Sequence, residues 1–139
     1  MIPGVFDCGV LISAIGWCGN PRDALELVAL GQARAILSAE TWSECRQRVP
    51  EVLAERRPEI DPSPILGWFA AAAHFVEPAP LGKQRSRDVK DDRYLAAALA
   101  AGAVLVTNDR DLLDLGKPFG VAILTPIELI KRVRAETMP

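Results

Sequence analysis

Two short apolar runs, Ile2–Phe6 and Ala103–Thr107, each give way to an aspartate: Asp7 directly after the first, Asp109 just past Asn108 after the second. A brief run with no polar alternation reads as a strand buried on both faces, and such strands occur in parallel sheets covered by helices above and below. Pro3 and Gly4 are awkward in a central strand, because proline cannot donate to a ladder, so regular pairing is expected from about Val5.

The stretches between these runs supply the helices. After Pro21 the positions Ala24, Leu25, Leu27, Val28 and Leu30 keep helical spacing and stop at Gly31. Gln32–Leu37 follows as a strand. Ser38 is an N-cap candidate, and Trp42, Cys45, Val49 and Leu53 form the apolar stripe of the next helix. Ile65–Ala73 reads as a helix and His74–Glu77 as a brief strand, while Pro78–Lys90, rich in proline and basic residues, reads as a loop. Asp92–Ala101 is alanine-rich with Gly102 as its C-cap, Val121–Leu124 makes a last strand, and Pro126 opens a helix to about Arg134. Strands alternating with helices predict a single α/β domain over 1–139 with a central, mainly parallel sheet.

Composition narrows the function classes. With 139 residues, half of them hydrophobic, the chain can bury a full core without a disulfide or structural metal. A formal charge of −2 argues against a globally basic nucleic-acid-binding surface and gives more weight to local basic patches. Cys8, Cys18 and Cys45 lack paired metal-ligand spacing, which disfavours a zinc site or a secreted disulfide framework and fits a reducing, cytoplasmic setting. No charge-free stretch reaches the roughly 20 residues of a membrane span, and no basic segment precedes the apolar start, so neither a span nor a signal peptide is expected.

In parallel sheets ligands bind outside the carboxyl ends of the strands, where Asp7 and Asp109 fall. Each acid also has a plain structural use. Asp91 and Asp92 open a helix and favour its dipole, Glu44 can close a capping box with Thr41, and Asp109 and Asp111 suit a turn. Asp7 is different, since a carboxylate interrupting an apolar run must be paired, hydrogen-bonded or metal-bound. Acids from two strand ends and two helices can meet at one sheet edge. Crowded carboxylates raise one another's pKa unless a cation compensates, and an oxygen-only set favours Mg²⁺ or Mn²⁺ over zinc.

Four segments in this order, VFDCGVLISAI, LSAETWSECRQRV, DVKDDRYLAAALAAGA and VTNDRDLL, resemble the PIN-domain nucleases, especially their toxin-like branch of VapC-type ribonucleases. The closing ILTPIELI resembles the family's last strand and helix. The resemblance implies a three-layer α/β/α sandwich and a divalent-metal-dependent endoribonuclease. It implies Asp7, Glu44, Asp92 and Asp109 as catalytic metal ligands, with Asp91 as the alternative to Asp92, and Ser13 and Thr107 in support; Asn108, a further supporting candidate, and Gly9 depart from the family's usual residues at their positions. It also implies an RNA substrate, a homodimer and a small antitoxin partner.

Lys83, Arg85, Arg87, Lys90 and Arg93 lie beside the third acidic segment and are candidates for holding the RNA backbone; solvated loop charge is the equal alternative. Arg46, Arg48, Arg56 and Arg57 form a second basic face. The single histidine, His74, lies away from the acids, and Trp17, Trp42 and Trp68 read as core or interface residues. The helix around Leu25–Leu30 and the segment Ile65–Ala73 are candidate partner surfaces. Two other readings stand beside the nuclease: a Mg²⁺-dependent phosphatase with Asp7 as nucleophile, although Gly9 stands where its acid/base would be, and a non-catalytic PIN-like binding module, to which Gly9 and Asn108 point.

Overall fold

The structure is a computed structural model that describes residues 1–83 and 89–137. The chain runs β1 (Ile2–Phe6), α1 (Cys8–Gly16), α2 (Asn20–Ala29), β2 (Ala33–Leu37), α3 (Ala39–Arg56), α4 (Ser63–Ala72), β3 (His74–Phe75), α5 (Asp92–Ala101), β4 (Val104–Val106), α6 (Arg110–Leu113), β5 (Ile123–Leu124) and α7 (Pro126–Thr137). Short 3₁₀ turns, Val89–Asp91 and Pro118–Gly120, precede α5 and β5.

All strand pairs are parallel and the order is β3-β2-β1-β4-β5. The chain steps outward from β1 in one direction and then crosses back to β4 and β5 in the other, and its helical crossovers cover both faces of the sheet. The result is the three-layer α/β/α sandwich. α5 packs on β1, β2 and β4, α4 packs on β2, and α2 packs on α1 and α7. Val5, Phe6, Leu37, Leu95, Leu105 and Leu129 are fully buried in a single core.

The first strand begins earlier than proline chemistry suggests. Pro3 pairs in register with Arg34, inside the central strand. The Ile2 amide faces β2, where it donates to Gln32, and the Asp7 amide faces β4, where it donates to Val106. Alternation along the strand therefore turns the Pro3 nitrogen toward β4, whose pairing with β1 starts only at Gly4↔Val104. No ladder bond is lost there. The other departures are smaller: β3 stops at Phe75, β5 starts at Ile123, α7 runs on to Thr137, and a short α6 follows Asp109.

Several local devices orient the helices that reach the sheet edge. Ser38 caps α3 and closes the capping box with Thr41, so Glu44 is not part of that cap as the sequence allowed. At Gly16 an added Cβ would stand 2.9 Å from the Leu53 side chain, so a glycine here lets α1 and α3 approach closely. Arg22 on α2 donates to the carbonyls of Ala14 and Ile15, satisfying the end of α1. Gly102 ends α5 at φ 61°, the left-handed position that favours glycine.

Candidate active site

The strand order reverses between β1 and β4, and the crevice at the carboxyl end of such a reversal is the usual binding place in open parallel sheets. Asp7 ends β1 and Thr107 ends β4, and both are buried. Asp7 also caps α1: its Oδ1 accepts from the Val10 amide at 2.8 Å. Its Oδ2 accepts from the Thr107 hydroxyl, and Thr107 Oγ1 in turn accepts from the Asp109 amide at 2.9 Å. Asp109 itself caps α6 by accepting from the Asp111 amide.

Burial pushes the Asp7 carboxyl up to about 6, against the lowering effect of the Thr107 and Val10 hydrogen bonds, and the negative charges of Asp109 and Glu44 push the same way. The carboxylates thus sense one another across the crevice. Glu44 reaches it from α3, where its Oε1 accepts from the Tyr94 hydroxyl at 2.7 Å. Its Oε2 is buried and, among the described residues, has no hydrogen-bond partner. A buried anionic oxygen in that state is costly unless a donor or cation meets it.

A cavity of about 690 Å³ opens at this edge. Asp7, Glu44, Asp91 and Asp109 all line it, together with Cys8, Gly9, Ser13, Gln47, Arg48, Glu51, Lys90, Tyr94 and Asn108. Of the neighbouring acids it is Asp91, closing the 3₁₀ turn, that reaches the wall; Asp92, the first residue of α5, is buried and does not line the cavity. Ser13, Asn108 and Lys90 stand on the wall, Thr107 supports it from beneath, and Arg93 lies outside, 3.5 Å from Glu40. Arg85 and Arg87 lie outside the described residues. His74 is exposed at the edge strand β3, away from the cavity.

Among the described residues no three acidic, histidine or cysteine side chains converge into a ready-made metal cage. The donors instead ring an open cavity. That spacing, with Glu44 Oε2 unsatisfied and every donor an oxygen, fits a hydrated hard cation, since Mg²⁺ keeps several waters and takes only one or two carboxylates directly. Gly9 is not required by crowding here: an added Cβ would stand 3.6 Å from Asp7 Oδ1, an ordinary contact.

Sequence reading missed Tyr94, Gln47 and Glu51 as wall residues, and of the second basic face it is Arg48 that joins them. Glu44, Gln47, Arg48 and Glu51 follow helical spacing along one face of α3, which was the available signal once Glu44 was singled out. Tyr94 is the chain's one tyrosine, set in a run of alanine and leucine. Cys45 Sγ lies 3.7 Å from its hydroxyl. A hydrogen bond that the Cys45 thiol donates to Cys8, together with burial, holds Cys45 above the usual thiol range, so it is a packed thiol and not a reactive thiolate.

No helix among the described residues is long and apolar enough to cross a membrane. The sequence matches no model of a known protein family and no curated protein. Its fold is similar to the crystal structure of PAE2754 from Pyrobaculum aerophilum, at a TM-score of 0.63 and 20% identity over 96% of this chain and 90% of that one. At that identity the likeness speaks for the architecture alone.

Proposed function

We propose that the protein is a metal-dependent endoribonuclease of the PIN type, acting at the cavity between β1 and β4. The observation that carries the reading is the pairing of two stressed carboxylates on that wall: Asp7, pushed up to about 6 by burial, and Glu44, whose Oε2 is buried without a partner. Both conditions are relieved by a bound cation.

Asp7, Glu44 and Asp109 would hold Mg²⁺ or Mn²⁺ together with Asp91, which lines the cavity, or the adjacent buried Asp92, which the resemblance favours. When bound, such an ion supplies charge neutralisation at a phosphodiester and a lowered pKa for a coordinated water. The chain's own groups do the rest. Arg48 and Lys90 bring positive charge to a wall that also carries Asp7, Glu44, Glu51, Asp91 and Asp109, and suit two phosphate oxygens of an approaching strand. Ser13, Gln47 and Asn108 offer neutral hydrogen-bonding groups to sugar or base. Thr107 and the Val10 amide keep Asp7 in one orientation.

A toxin role in the cytoplasm, a homodimer and a small antitoxin belong to the same proposal. They are supported by the resemblance of the four acidic segments and by a second, apolar cavity of about 280 Å³ flanked by Leu25, Ile65 and the exposed Trp68. The phosphatase reading has no comparable support, because the position it needs as acid/base is Gly9. End-labelled single-stranded RNA and p-nitrophenyl phosphate, each incubated with protein and Mn²⁺, test the assignment. Internal cuts leaving 5′-phosphate and 3′-hydroxyl ends are expected. Hydrolysis of the small ester without RNA cleavage would replace the nuclease by a phosphatase.

A further inference from the structure

We propose that Tyr94 is a positioning residue for the metal site, its hydroxyl fixing Glu44 Oε1 so that Oε2 is left for a cation in the cavity. The inference rests on the metal-dependent reading above. It starts from a division of labour within one carboxylate: Oε1 receives a 2.7 Å hydrogen bond, and Oε2 is buried with no partner among the described residues.

The tyrosine is itself held firmly. Its ring is 1% exposed on α5, the helix that packs on β1, β2 and β4, so the hydroxyl is anchored to the sheet and not to a loop. Cys45 Sγ also lies 3.7 Å from that hydroxyl and comes from the same helix as Glu44. Two adjacent residues of α3, Glu44 and Cys45, therefore meet the one hydroxyl that α5 presents to them. A flexible glutamate has three side-chain torsions to lose on binding a cation, and a preformed bond to Tyr94 removes part of that cost before the cation arrives. Outer partners of this kind tune metal affinity by roughly 10–100-fold.

The test is Mn²⁺ binding by calorimetry on the full chain, with folding checked by circular dichroism. The variants are Asp7→Asn, Tyr94→Phe, Glu44→Gln and the Tyr94→Phe/Glu44→Gln double variant. Tyr94→Phe, which keeps the ring and removes only the hydroxyl, is expected to weaken Mn²⁺ binding about 10-fold or more. In the Glu44→Gln background the same change is expected to have little further effect, because Tyr94 acts through Glu44. Wild-type affinity in Tyr94→Phe, or an undiminished loss in the double variant, overturns the role of Tyr94 while leaving metal binding in place. Absence of Mn²⁺ binding by the wild type overturns both this inference and the metal-dependent reading. Glu44→Asp keeps the charge but withdraws it from the hydroxyl, and serves if Tyr94→Phe does not fold; it too is expected to bind about 10-fold more weakly, and wild-type affinity in it overturns the inference.

Discussion

Thr107 donates its hydroxyl to the carboxylate of Asp7, 100 residues earlier in the chain, and so ties the carboxyl ends of β4 and β1 together where the strand order reverses. The same hydroxyl oxygen accepts from the Asp109 amide, so one buried side chain orients two of the acids. Thr107→Val keeps the shape and removes both bonds. A loss of about 1–3 kcal/mol in urea denaturation is expected, with most of it restored in Thr107→Ser. A loss equal in both variants would mean that packing, not the hydroxyl, matters at this position.

Asp7 imposes a pH dependence on the metal-free protein. Its carboxyl titrates at about 6 when folded and at an ordinary 3.8 when not, so the folded state binds the extra proton between those values. Stability from this group is therefore fully present below about pH 4, falls as pH rises toward 6 and is level above. The full swing is on the order of 3 kcal/mol. Asp7→Asn removes the slope, and in EDTA at pH 7.5 its urea midpoint is expected to equal or exceed that of the wild type. Parallel profiles from pH 4 to 7.5 for the two proteins would contradict the burial of a charged Asp7.

Ser38 offers the converse case, a stabilising residue with no place on the cavity wall. It is 1% exposed and makes the capping box of α3 with Thr41. Ser38→Ala is expected to lower stability by about 1 kcal/mol, with Mn²⁺ affinity held within about twofold at a temperature where the variant stays folded. A large drop in affinity from this change would show that α3 must be rigid for Glu44 to function.

Arg48 and Lys90 are expected to act on the substrate and not on the metal. Arg48→Ala and Lys90→Ala should each weaken single-stranded RNA binding and reduce its salt dependence, by about 0.7 in the logarithmic slope for each phosphate that is no longer neutralised. Filter binding between low and moderate salt reads this directly. An unchanged slope in both variants would remove these cations from the substrate path.

Much of the layout was legible because it is local. Asp7 stands out where an apolar run is interrupted, the Asp92–Ala101 helix is bounded by its own cap, and strand ends carrying acid point to one sheet edge. What escaped depends on contacts distant in sequence. Tyr94 reaches Glu44 across 50 residues, and nothing in either neighbourhood announces the other. Asp91 and Asp92 are alike in sequence because they flank the junction between a 3₁₀ turn, Val89–Asp91, and α5, and only the fold shows that Asp91 lines the cavity while Asp92 is buried beside it. Pro3 misled because a proline penalty depends on which neighbour its nitrogen faces, a fact of sheet order and not of composition.

The central claim is that Asp7 and its neighbours form a metal-dependent RNA-cleaving site. Its most direct test is cleavage of a mixed single-stranded RNA panel by wild type and Asp7→Asn, each with Mg²⁺, Mn²⁺ or EDTA. Cutting is expected from the wild type with either ion, with none in EDTA and none from Asp7→Asn, which remains folded. Cutting that persists in EDTA or in folded Asp7→Asn, or a wild type that binds Mn²⁺ yet cuts no RNA, would contradict it.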